Sequence, residues 1–178
     1  MVTNRLQSEV ALNPVFLAMH SGLIVSCQAS DGTPMDTPEF ITAQALTVES
    51  AGAKAIRAQG IENVSSIVRA VKVPVIGLVK SYTPDSDVYI TPTVEDVLAL
   101  VVAGADIVAV DATQRTRHKG MTLEAFYTEV RKHTTVPLLA DIDSLEMLSM
   151  PSHLDSMPLQ LRSMVIRQAL RLDYLTWI

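Results

Sequence analysis

Short apolar runs alternate with amphipathic stretches along most of this chain, and five of the runs lead into a polar or charged side chain. Leu23-Ile24-Val25-Ser26-Cys27 runs into Gln28, Ala55-Ile56 into Arg57, and Val75-Ile76-Gly77-Leu78-Val79 into Lys80. Ile107-Val108-Ala109-Val110 runs into Asp111, and Leu138-Leu139-Ala140 into Asp141. Runs of this length bounded by turn residues predict buried strands over 23–28, 54–58, 74–80, 106–111 and 137–142. The stretches between them predict helices at about 38–51, 61–71, 93–103 and 121–133, with a short leading helix within 1–21 across the bottom or side of the sheet. Units of roughly 25 to 30 residues fit repeated βα units and a parallel sheet. The carboxyl ends of parallel strands share one face, so the five polar tips are expected to converge on one site, as in an α/β enzyme.

A faint internal repeat supports this division. Ala51-Gly52-Ala53 precedes the second strand and Ala103-Gly104-Ala105 the fourth, while Val73-Pro74-Val75 opens the third and Val136-Pro137-Leu138 the fifth. The glycines suit helix C-terminal caps, and the prolines suit first strand positions that donate no ladder bond. Two βαβα modules would produce this spacing, and so would ordinary reuse of turn residues in any α/β chain.

The pattern changes near the carboxyl terminus. A (β/α)₈ barrel takes about 250 residues, whereas 36 residues follow Ile142. No glycine occurs after Gly120, and 147–158 carries three methionines and two prolines without an evident strand. The division expected is a partial barrel domain over 1–146 and a divergent, helical segment over 147–178. A helix over 159–178, apolar at Leu161, Met164, Val165, Leu172 and Leu175, would patch an open sheet edge.

Composition narrows the function classes. With 178 residues and 48% hydrophobic positions the chain can bury a core, and with only 4% aromatics that core is aliphatic, as parallel strands covered by helices require. The formal charge of −5 argues against a general nucleic-acid binder but permits a small phosphorylated substrate. The lone Cys27 can form no internal disulfide, which favours a reducing compartment. The apolar stretch at Val15 to Met19, interrupted by Asn13, Pro14 and His20, is too short for a membrane span and lacks a signal-peptide core, so a cytoplasmic location is expected.

Six segments, in order and at matching spacing, carry a family resemblance. They are Gly22 to Gln28, Gly52 to Arg57, Val73 to Lys80, Ser86 to Thr93, Gly104 to Thr113 and Leu139 to Ile142. Together they cover about residues 22 to 146, and this part of the chain resembles the bacterial N-acetylmannosamine-6-phosphate 2-epimerases. The resemblance implies a (β/α)₈ barrel of the TIM type, here apparently cut after about five strands. It implies interconversion of N-acetylmannosamine 6-phosphate and N-acetylglucosamine 6-phosphate in sialic-acid catabolism, without a cofactor. The partner implied is a phosphorylated amino sugar, with no nucleic acid and no membrane, and a homodimer is left open. Family members use a lysine at the end of the third strand as acid/base, which falls on Lys80. They also use a glutamate after the seventh strand and glycine-rich phosphate loops on the last strands, which have no counterpart in this sequence. An inactive partial barrel acting as an interaction module is the competing reading. A ribulose-phosphate or indole-glycerol-phosphate type of barrel is disfavoured by the Gly22 to Gln28 segment.

The tips suit that chemistry, and each also has a plainer role. Epimerisation beside a carbonyl needs a base for the C2 proton, and burial beside a positive Arg57 would make the Lys80 amine a better one; a salt bridge from Lys80 to Asp111 is the alternative. Arg57 offers a planar fork of donors for an oxygen ligand or a developing oxyanion, or else a structural ion pair. Gln28 can donate to and accept from a substrate or close a strand end. Asp111, paired with Lys80 as the catalytic assignment, and Thr113 are candidate hydroxyl ligands or orienters of Lys80. Asp141 can bind substrate or cap a helix, and Arg115 and Arg117 can approach a sugar or phosphate or stay solvated. Cys27 reads as a small buried residue, and His20, His118, His133 and His153 share no metal-ligand spacing.

Overall fold

The computed structural model describes residues 14–143. The expectations for 1–13 and 144–178, including a carboxy-terminal helix, lie outside the described residues. The described chain alternates strictly: α1 (Pro14–Met19), β1 (Ile24–Cys27), α2 (Pro38–Ser50), β2 (Ala55–Gln59), α3 (Ile61–Ala70), β3 (Val75–Leu78), α4 (Val94–Val102), β4 (Ile107–Asp111), a single 3₁₀ turn (His118–Gly120), α5 (Leu123–His133) and β5 (Leu138–Asp141). All five strands are parallel, in the order β1-β2-β3-β4-β5. These bounds agree with the sequence expectations to within one or two residues at each strand and helix end.

Local chemistry explains where the helices begin and stop. Thr37, Thr93 and Thr122 cap α2, α4 and α5, their hydroxyls accepting from the amides of Phe40, Asp96 and Ala125. At α4 the Asp96 carboxylate also accepts from the Thr93 amide, completing a reciprocal box. The repeated Ala-Gly-Ala segments end α2 and α4 in the same way. Gly52 (φ 101°) and Gly104 (φ 93°) turn left-handed, and the next amides, of Ala53 and Ala105, reach back to the carbonyls of Val48 and Leu100. The repeated prolines sit where no donor is needed, and their carbonyls accept from Ile56 and Val108 on the neighbouring strands.

Strand alternation divides the apolar residues into two sets. Ile56, Ala58, Val75, Val108, Val110 and Leu138 face the helices and pack on Ile41, Ala45, Val64, Ile67, Val97, Leu100, Phe126 and Val130. Ala55, Ile76, Leu78, Ile107, Ala109 and Leu139 form a second cluster on the inner face, joined by Met19, Val15 and Phe16 of α1 and by Ile24 and Ile90. The leading helix thus covers the inner face. Gly77, in the central strand, is where the helix layer comes closest: a Cβ there would lie 3.0 Å from a Leu100 methyl, 3.1 Å from Ala105 and 3.3 Å from Val64. Gly77→Val, with two further methyls and no space for them, is expected to lower stability by about 1–3 kcal/mol in urea unfolding.

Candidate functional site

The polar tips continue the inner-face alternation. In a strand, residues two apart share a face, so Arg57 follows Ala55, Asp111 follows Ile107 and Ala109, and Asp141 follows Leu139. Lys80 lies two residues beyond Leu78 and is bridged antiparallel to Ile90. Residues directly opposite across such a bridge present their side chains to one face, and Ile90 packs in the inner cluster. Lys80 therefore belongs to the inner face as well. Gln28 stands just past β1, half-buried, and donates to the Ser26 hydroxyl at 2.7 Å.

Arg57 and Asp141 show how far the sheet curls. They sit on β2 and β5, three strand spacings apart, which is roughly 14 Å on a flat sheet. Their side chains nevertheless meet at 2.5 Å, with exposures of only 15% and 17%. The inner face is thus concave, and the ion pair spans its mouth. Burial pushes the Asp141 carboxyl above its usual range; Arg57 opposes this, and Asp111 on the adjacent strand adds to it.

Asp111 is almost fully enclosed, 4% exposed. Its Oδ1 accepts from the Thr113 amide at 2.8 Å and the Thr113 hydroxyl at 2.6 Å. Its Oδ2 lies 3.7 Å from Arg115, whose other end is 3.2 Å from Asp143. Arg57, Asp111, Thr113, Arg115, Asp141 and Asp143 line one cleft of about 280 Å³ together with Ile90 and Ile142. That is the small end of the range for ligand sites and suits a ligand of monosaccharide size.

The structure decides several alternatives left open by the sequence. Lys80 makes no ion pair with Asp111; that carboxylate is occupied by Thr113, Arg115 and Arg117. Arg57 does form an ion pair, with Asp141. Arg117 neither approaches the cleft nor stays solvated. It is 2% exposed, lies 5.2 Å over the Phe126 ring and donates to the Asp111 carbonyl, and burial lowers its pKa. Cys27 is buried, and burial raises its thiol pKa. Asp143, Ile90 and Ser26 take part without having been singled out beforehand. Asp143 had a signal, lying two residues beyond the fifth tip on the same side of the chain; Ile90, in what reads as loop, had none.

The loops around the cleft are tied together. Asp85 Oδ1 meets His118 Nδ1 at 2.5 Å and its Oδ2 accepts from the Lys119 amide at 3.0 Å, while the Asp87 amide donates to the Thr116 carbonyl at 2.8 Å. The segment after β3 and the segment after β4 are therefore joined into one rim. Among the described residues no helix is long and apolar enough to cross a membrane.

A curled parallel sheet built of β/α units, with charged and amide side chains crowding the carboxyl ends of its strands, is the architecture of the (β/α)-barrel enzymes. Comparison with known sequences narrows this: a family described as "Putative N-acetylmannosamine-6-phosphate epimerase" matches residues 41–154, and the chain belongs to that family. A protein of Klebsiella pneumoniae named "Putative N-acetylmannosamine-6-phosphate 2-epimerase" is 46% identical over 127 residues, covering 71% of this chain and 53% of the relative. One of the same name from Caldanaerobacter subterraneus is 42% identical over 129 residues, covering 72% and 54%. The chain thus spans about half the length of the curated relatives it matches. Among solved structures, an N-acetylmannosamine-6-phosphate 2-epimerase from Clostridium perfringens superposes with a TM-score of 0.70 at 32% identity, covering 76% of this chain and 58% of that one.

The buried Asp141 gives the site a pH dependence. Its folded pKa is raised, so its contribution to stability is fully present below the unfolded value and is lost as pH rises through the folded one. The urea stability of the wild-type chain minus that of Asp141→Asn, which cannot ionise, is expected to fall as pH rises from about 4 to about 7. A difference that stays flat or grows would contradict the raised carboxyl.

Proposed function

We propose that this chain carries epimerase chemistry on N-acetylmannosamine 6-phosphate, inverting C2 to give N-acetylglucosamine 6-phosphate. The observation that supports it best is the sharing of one concave face by Arg57, Lys80, Asp111 and Asp141, in a chain whose relatives are named for that reaction. The C2 hydrogen of the open-chain sugar lies beside the C1 carbonyl. Lys80 takes that proton, the C–H electron pair moves into the C1–C2 bond, and the carbonyl oxygen becomes the oxyanion of an enediolate-like intermediate. Arg57, anchored by Asp141, is the donor for that oxygen. A proton returned to the opposite face of C2 completes the inversion with no net change in oxidation state, so the reaction needs no redox cofactor.

Asp111, with one oxygen saturated by Thr113, offers its other to sugar hydroxyls, and Gln28 binds from the first strand. Arg115, half-exposed and held only by loosely screened contacts, swings to the phosphorylated end of the substrate. A cytoplasmic setting goes with this reading, because the substrate is a phosphorylated intermediate and Cys27 is an unpaired buried thiol.

The test is proton NMR in heavy water with N-acetylmannosamine 6-phosphate. The expected result is deuterium at C2 together with the gluco epimer, and a loss of about 10²–10⁴-fold in that rate for Lys80→Ala with an unchanged melting temperature. Equal rates in the two proteins would remove Lys80 from the chemistry.

A further inference from the structure

The sheet is split at its carboxyl end between β3 and β4. Each of the other strand pairs is registered over four positions, but β3 and β4 pair only at Ile76–Ile107 and Gly77–Val108. Beyond those positions the chain that left β3 comes back and lies in the gap. Lys80 is bridged to Ile90, the Ser81 amide donates to the Tyr89 carbonyl at 3.1 Å, and the Thr91 amide donates to the Val79 carbonyl at 2.7 Å. On its other side the Ile90 carbonyl accepts from the Asp111 amide at 3.0 Å. Residues 89–91 are therefore a wedge, one chain thick, hydrogen-bonded to the Lys80 segment on one edge and to Asp111 on the other.

The wedge has an electrostatic consequence. Without it Lys80 and Asp111 would be directly opposed neighbours one strand spacing apart, roughly 5 Å; with it their backbones are separated by an intervening segment, roughly 10 Å apart. Asp111 then takes Arg115 and Arg117 as its cations, and Lys80 has no carboxylate partner among the described residues.

Thr91 is the residue that locks the wedge. It is fully buried, and its φ is +47°, an outlier for a β-branched side chain. Thr91 holds Val79 at two points: its amide donates to the Val79 carbonyl, and its hydroxyl accepts from the Val79 amide at 3.2 Å. Val79 immediately precedes Lys80, so a change at Thr91 reaches the Lys80 backbone through a single peptide unit.

The geometry points to Thr91 as a positioning residue, whose strained backbone and hydroxyl hold the 89–91 wedge in place so that Lys80 is set apart from Asp111 and held on the concave inner face. This rests on the proposed function only for what Lys80 does; the wedge itself is tested separately. Amide hydrogen exchange on the 178-residue chain reads the wedge directly, because Val79, Ser81 and Asp111 all donate to it. In Thr91→Val, which keeps the shape and loses the acceptor, exchange at Val79, Ser81 and Asp111 is expected to rise about tenfold or more while Val108 in the β4 interior is unchanged. Thr91→Gly, which tolerates a left-handed φ, should show the same pattern without loss of folding, and Thr91→Ser should restore wild-type protection.

In the epimerisation assay the Val and Gly variants are expected to lose about 10²-fold in kcat with KM little changed, and Ser to recover most of it. Unchanged exchange at the three amides, or faster exchange throughout β4, would overturn the wedge. Faster local exchange with unaltered kcat would overturn the positioning of Lys80. If the wild-type chain shows no turnover, the proposed function fails by that result alone, and the exchange pattern still decides the role of Thr91.

Discussion

Contact between Arg57 and Asp141 across three strand spacings is possible only because the sheet curls, and the curl makes a site out of separate strand ends. On a flat parallel sheet the five polar tips would form a row, each facing solvent. Curling turns the inner face into a concave wall, fills its depth with Ile76, Leu78, Ile107, Ala109 and Leu139 under α1, and leaves the polar residues stacked at its mouth. The ion pair does more than mark the curvature. It holds two charges largely out of water, and it fixes the orientation of the Arg57 fork at the mouth of the concave face.

Charge at this mouth is apportioned unevenly. Asp111 faces Thr113, Arg115 and the buried Arg117; Asp141 faces Arg57; Lys80 has no carboxylate partner among the described residues. Two carboxylates on adjacent strands at the paired positions Asp111 and Asp141 would repel one another strongly without these cations. Arg117 does its work from below, stacked on Phe126 and bonded to the Asp111 carbonyl, and so supports the end of β4 without touching the cleft.

Much of this was legible in the sequence, because it follows from period-two alternation and local caps. The five strands, the four later helices and the polar tips are readable from apolar runs, from Ala-Gly-Ala at helix ends and from Val-Pro before strands. Interactions between tips were not readable. That Arg57 pairs with Asp141 depends on curvature, which has no local code. That Lys80 and Asp111 are not strand neighbours depends on Ile90 entering the gap, and nothing in Ser81 to Pro92 announces a strand. Thr91 is harder still, since a residue before proline is expected in an extended conformation, whereas its φ is left-handed in a setting of two hydrogen bonds to Val79. Arg117 reads as a loop charge until Phe126, nine residues on, is seen beneath it.

The central claim is that residues from all five strands form one binding site on the concave face. The most direct measurement is a titration of the isotope-labelled chain with N-acetylmannosamine 6-phosphate, followed by amide and side-chain chemical shifts. The account predicts saturable shifts at Gln28, Arg57, Lys80, Asp111, Thr113 and Asp141, with the outer helical residues Glu62, Arg69 and Val102 unmoved. Shifts confined to the helical surface, or none in a folded preparation at millimolar sugar phosphate, would contradict it.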